Sequence, residues 1–105
     1  MGCDPAWKAQ GFVEDGSGAP IEGATVAVVC PDGKPSDTVK TTTTGRFEVG
    51  GIGGSRALGC SLEVKKAGWR LRTMHMTDAC FRSAKTHDYD EPCRAREGHI
   101  VLTPE

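Results

Sequence analysis

The chain has 105 residues, with thirteen Lys and Arg against fourteen Asp and Glu, and five cysteines. That length suits one domain with a modest core and excludes two. The near-neutral charge, spread evenly over both halves, offers no basic face to a nucleic-acid backbone; the longest apolar stretch, 24–30, is far short of the roughly 20 residues that a spanning helix needs.

Residues 1–9 read as a tether ahead of a domain at 10–105. Gly2-Cys3 resembles the end of a bacterial lipoprotein signal, where a small residue precedes the cysteine that receives the lipid. Cys3 is therefore the expected lipid attachment, and a membrane is met only through it. The competing Met-Gly-Cys acylation motif wants Ser or Thr at position 6, where this chain has Ala6. A cysteine without lipid is the remaining alternative. The absence of Asn removes N-glycosylation.

Five cysteines in so short a chain suit an oxidising, extracytoplasmic compartment. With Cys3 set apart, the other four allow three pairings. Cys30 ends one strand-like run and Cys60 begins another, while Cys80 and Cys93 bracket a polar stretch, so the favoured pairing is Cys30 with Cys60 and Cys80 with Cys93.

Helical periodicity is nearly absent, and short alternating or β-branched runs recur between Gly, Pro and Asp clusters. A first strand is expected at 10–14, followed by the turn cluster 15–20. The second, 24–30, places Val26 and Val28 on one face and Ala27 and Val29 on the other, which suits a central, covered strand. After the turn at 31–35 comes a third strand at 38–43, with the threonines at 41–44 presenting hydroxyls outward. Gly45 is expected to close a hairpin onto a fourth strand at 46–49, where Phe47 and Val49 share a face. The fifth, 61–66, turns Leu62 and Val64 inward; the sixth covers 70–77; the last, 99–103, turns Ile100 and Leu102 inward. Trp69, after Gly68, reads as a core or corner aromatic. Seven such strands predict an all-β, seven-stranded antiparallel Greek-key sandwich, with a long disulfide-closed loop over 74–97 before the last strand.

Three segments occur in order: Gly18-Ala19-Pro20-Ile21-Glu22-Gly23-Ala24, then Thr41-Thr42-Thr43-Thr44-Gly45-Arg46-Phe47, then Lys66-Ala67-Gly68-Trp69. Together with the flanking strands they resemble the carboxypeptidase regulatory-like domain, over roughly residues 10–104. The resemblance implies a prealbumin-like, Ig-like sandwich of the kind common in secreted and surface bacterial proteins. The matching segments shape turns and strand entries and carry no catalytic chemistry.

The 74–97 connection departs from that family pattern and is the most individual surface of the chain. Arg82, Lys85, His87, Asp88, Tyr89 and Asp90 combine one aromatic with dense charge, which suits contact with a protein partner; the alternative is a loop that only covers a sheet edge. His75, Cys80, His87, Cys93 and His99 have zinc-ligand chemistry but lack a Cys-x2-Cys or His-x3-His pair. Asp88, Asp90 and Glu91 offer oxygens for calcium without the full loop motif. A metal carrier or metal-dependent enzyme built on His75, His87, Asp88 and Asp90 is therefore the runner-up. The two-tyrosine iron site of related dioxygenase sandwiches fails, since Tyr89 is the sole tyrosine. A Gly-x-Ser-x-Gly elbow is missing, and the glycines at 50–54 lack the Lys-Ser/Thr ending of a phosphate loop. Trp7 or an outward Trp69 would serve a glycan. The expectation is a non-enzymatic binding or structural module without a cofactor.

Overall fold

The computed structural model describes residues 6–31, 35–52, 54–84 and 88–105. In chain order its strands are β1 (Ala6–Glu14), β2 (Thr25–Val29), β3 (Pro35–Lys40), β4 (Arg46–Ile52), β5 (Ser61–Lys65), β6 (Arg72–His75), β7 (Cys80–Ser83) and β8 (His99–Val101). Single helical turns lie at Gly54–Ala57 and Met76–Asp78. One sheet has β1 at its centre, with β4 on one edge and β7 and β8 sharing the other; the second has the order β3-β2-β5-β6. The architecture is all-β, as expected.

The apolar faces follow the alternation in the sequence. Val26, Val28, Phe47, Val49, Leu62, Val64, Ile100 and Leu102 are all buried between the sheets, joined by Val13 and Ala9. Burying such side chains is worth about 1.5–3 kcal/mol each, which is what holds the two sheets face to face. β2 is central, as its composition suggests, but its second face, Ala27 and Val29, is only half covered. The bond between Cys30 and Cys60 ties the end of β2 to the approach to β5.

Four expectations are corrected. The tether does not extend to residue 9: β1 begins at Ala6, because Trp7 and Ala9 are core residues. Trp7 stacks on Phe81 at 5.7 Å between ring centroids and donates its indole N–H to the Ile52 carbonyl at 3.2 Å. Secondly, the described strands number eight rather than seven, the added one being β7, and β8 runs parallel to β1, so the sandwich is not wholly antiparallel.

Thirdly, the threonine run is not an outward-facing strand. Thr41 is buried, its hydroxyl accepting the Ala24 N–H at 2.9 Å and donating to the Ile21 carbonyl at 2.7 Å, while Thr42 to Thr44 form an exposed turn. Lastly, Gly45 does not close a hairpin between paired neighbours. Its left-handed backbone (φ 77°) carries the chain from β3, in one sheet, to β4, in the other. The Asp37 carboxylate accepts the Gly50 N–H at 3.0 Å across that junction.

Candidate functional site

β7 runs antiparallel to the first half of β1, pairing Cys80 with Gln10 and Ser83 with Trp7, whereas β8 runs parallel to the second half, pairing Phe12 with His99. The chain leaves β7 at the Trp7 level and must return to the Phe12 level on the same edge, a distance of about 17 Å. It does so by folding back along β7, and three devices fasten it there.

The first is the bond between Cys80 and Cys93. The second is Arg82, which is 1% exposed. Its Nε donates to the Glu91 carbonyl at 3.1 Å. Nη1 donates to the Phe81 carbonyl at 3.0 Å and to Glu97 Oε1 at 3.1 Å, and Nη2 to the Pro92 carbonyl at 3.1 Å and to Glu97 Oε2 at 2.8 Å. All five guanidinium N–H groups are thus used, which is what makes burial of this charge tolerable. Glu97 Oε2 also accepts the Arg94 N–H at 2.8 Å. The Arg82 hydrogen bonds, ahead of the opposing effect of burial, hold the Glu97 carboxyl below the usual carboxylate range, and Glu97 in turn raises Arg82.

The third device is a close approach of two glycines. The Phe12 N–H donates to the Gly98 carbonyl at 3.0 Å. A Cβ on Gly11 would collide with that carbonyl, and one on Gly98, whose φ is 78°, would come within 2.6 Å of the Gln10 carbonyl oxygen.

Outside this fastened layer lie Asp88, Tyr89 and Asp90, all exposed. Asp88 shapes the turn, its carboxylate accepting the Asp90 N–H at 3.0 Å and its carbonyl the Glu91 N–H at 2.9 Å. The Lys8 ammonium sits 4.8 Å from the centre of the Tyr89 ring. The surface at this end of β1 is an aromatic ring between a cation and two carboxylates.

Of the residues expected to contact a partner, Asp88, Tyr89 and Asp90 therefore come together on the surface, and Arg82 does not. It is the internal fastener of the loop, correcting its assignment as a contact residue. Lys85 and His87 lie outside the described residues, as does Cys3. Among the described residues the metal sets do not assemble, His87 lying outside them. Cys80 and Cys93 are consumed in their bond, and His75 stands on β6 of the other sheet, opposite Ser61. Among the described residues no three His, Cys, Asp or Glu side chains form a metal-holding group. His99 instead faces Glu14, Nδ1 to Oε1 at 3.4 Å, beside an apolar depression of about 310 Å³ between Phe12, Pro20 and Thr43. Trp7, as a core residue, is not available to a glycan.

Glu97, Gly11 and Gly98 were not singled out by the sequence reading. An acidic residue downstream of an arginine has no distinguishing pattern; only the fold-back brings the pair together.

The family model for the carboxypeptidase regulatory-like domain matches residues 9–77 of the chain. No curated protein matches it. The match ends before β7, so the fastened loop lies wholly beyond the matched residues.

Proposed function

The chain belongs to the carboxypeptidase regulatory-like domain family, and from that premise we propose that it is a non-catalytic, extracytoplasmic binding module whose contact surface is the loop between β7 and β8. The observation that carries this reading is the contrast within the loop. Its inner side is tied down by a disulfide, a fully used guanidinium and a glycine contact, while Asp88, Tyr89 and Asp90 are left outside. A surface ordered in advance loses less entropy on binding than a free loop would. The two disulfides fit an oxidising compartment, and among the described residues no helix is long and apolar enough to cross a membrane. Lipid attachment at Cys3 completes the proposal and supplies the tether.

Site-specific photo-crosslinking in cells tests the reading. A photoreactive residue in place of Asp90 is expected to yield one discrete protein adduct, lost when Tyr89→Ala is added, while the same group in place of Thr43, on the far turn, yields none. Indistinguishable adduct patterns at the two positions would refute it.

A further inference from the structure

A second recognition site lies on the outer face of the second sheet. The pairings of Thr25 with Lys40 and of Thr25 with Lys65 place Lys40, Thr25 and Lys65 in one row across β3, β2 and β5. Val26 and Val64 point into the core, so this row points outward. The chain then turns at Lys66 to Trp69, where the Trp69 N–H donates to the Lys66 carbonyl at 2.9 Å. That turn sets the partly buried Trp69 indole, one side of which packs against the core, and the exposed Leu71 beside the row. The result is an open depression of about 470 Å³.

Three lysines line the depression, Lys40, Lys65 and Lys66. Lys66 lies over Gly23, its Nζ 3.1 Å from where a Cβ would stand. Lys65 is 3.5 Å from Glu63, an exposed pairing that offsets part of its charge. Neither Lys40 nor Lys66 has a carboxylate partner within ion-pair distance among the described residues. Glu105 is the one acidic residue lining the depression. The site therefore carries a positive excess next to an apolar planar surface.

We propose that this depression binds an acidic saccharide, with the Trp69 indole against the C–H face of a sugar ring and Lys40, Lys65 and Lys66 around its carboxylates. A sugar offers both features at once, an apolar face for the indole and charge at its rim. An acidic peptide fits less well. Peptides draw affinity from backbone pairing with a free strand edge, and beside the indole the backbone is already paired: the Arg70 N–H donates to Thr103 at 2.8 Å and the Glu105 N–H to Gly68 at 3.1 Å. This site stands apart from the β7–β8 loop and does not rest on the protein-binding reading.

Calorimetric titration of the full chain with trigalacturonic acid at low ionic strength tests the proposal, with tryptophan fluorescence followed in parallel. Saturable binding is expected, with a fluorescence change that Trp69→Phe abolishes, Trp7 being buried in the other sheet. Lys40→Glu/Lys65→Glu, two exposed positions whose exchange leaves the urea midpoint unchanged, raises Kd by roughly tenfold or more, and so does methyl esterification of the sugar. No binding at millimolar ligand would overturn the proposal, as would equal affinity for the esterified sugar or an unchanged Kd in the lysine variant. Triglutamate binding as tightly as the sugar would overturn it in favour of an acidic peptide.

Discussion

Arg82 and Glu97 meet through two parallel N–H to oxygen contacts, at 3.1 and 2.8 Å, with the arginine sealed from solvent and the glutamate side chain 23% exposed. The pair joins β7 to the far end of its own loop, so the candidate contact surface and the first sheet share one of the three fastenings of that loop. Replacing Arg82 by Met leaves the Glu97 carboxylate and three carbonyls short of donors. The expected loss is about 3–5 kcal/mol in urea unfolding followed by tryptophan fluorescence. Arg82→Lys keeps the charge but not the five-way fan and recovers less than half of that loss. Equal stability of wild type and Arg82→Met would contradict the assignment.

The same pair sets a pH dependence. The folded-state carboxyl of Glu97 titrates below its unfolded value, so its contribution is complete above the unfolded value and disappears as pH falls through the folded one. Glu97→Gln is therefore less stable than wild type at neutral pH and has a flatter acid limb, the two curves converging in acid. Urea midpoints taken from neutrality downward measure this. Asp15, lowered first by the Ser17 hydroxyl and then by the Ala19 and Ser17 N–H groups, contributes slope of the same sign and accounts for part of what remains.

The two disulfides have separable effects. By loop-closure entropy the bond spanning 13 residues, Cys80 to Cys93, contributes about 3 kcal/mol and the one spanning 30, Cys30 to Cys60, about 3.7 kcal/mol. Paired Cys→Ser variants are expected to lose those amounts. Native-state hydrogen exchange places the difference: loss of the Cys80 bond raises exchange in 88–98 and leaves β2 and β5 protected, whereas loss of the Cys30 bond does the reverse.

At Gly11 a single methyl group is the test. Gly11→Ala forces the Gly98 carbonyl off β1, at an expected cost of about 1–3 kcal/mol, with amide shift changes concentrated at Phe12 and 94–99. Gly16→Ala, where a Cβ meets open space, serves as the neutral control.

Thr41→Val keeps the shape of the side chain and deletes the hydroxyl between Ala24 and Ile21. Leaving one buried N–H and one carbonyl without that partner is expected to cost about 1–3 kcal/mol, read as a lower urea midpoint. Thr43→Val, in the exposed turn, is expected to be silent.

The sandwich was legible because strands covered on one face advertise themselves by alternation: Phe47 with Val49, Leu62 with Val64 and Ile100 with Leu102 all point where their spacing said. β7 escaped for the opposite reason. All four of its residues are buried, since the returning loop covers the face that solvent would otherwise wet, and a strand covered on both sides shows no alternation. Arg82 misled in the same way. A charged residue in a polar stretch reads as surface until the carbonyls of Glu91 and Pro92 are known to converge on it. Position favoured one of three disulfide pairings, and it is the one the structure has, but the crossing at Gly45 was not legible: a tight reversal looks alike in sequence whether it pairs two strands or sends the chain between sheets. The row of Lys40, Thr25 and Lys65 was hidden because its members are far apart in the chain and meet only through strand register.

The direction of β1 gives the molecule two poles. At its start, Ala6 lies opposite Ile52, an isoleucine 84% exposed, and Lys8 reaches Tyr89. Past its end, Leu102 bonds to Glu14 and the chain runs on to the Trp69 turn. The strand is about 30 Å long. Under the proposed lipid attachment at Cys3, Tyr89 and Ile52 would stand near the mooring and the lysine-rimmed depression toward the other pole, with β1 as the mast between them.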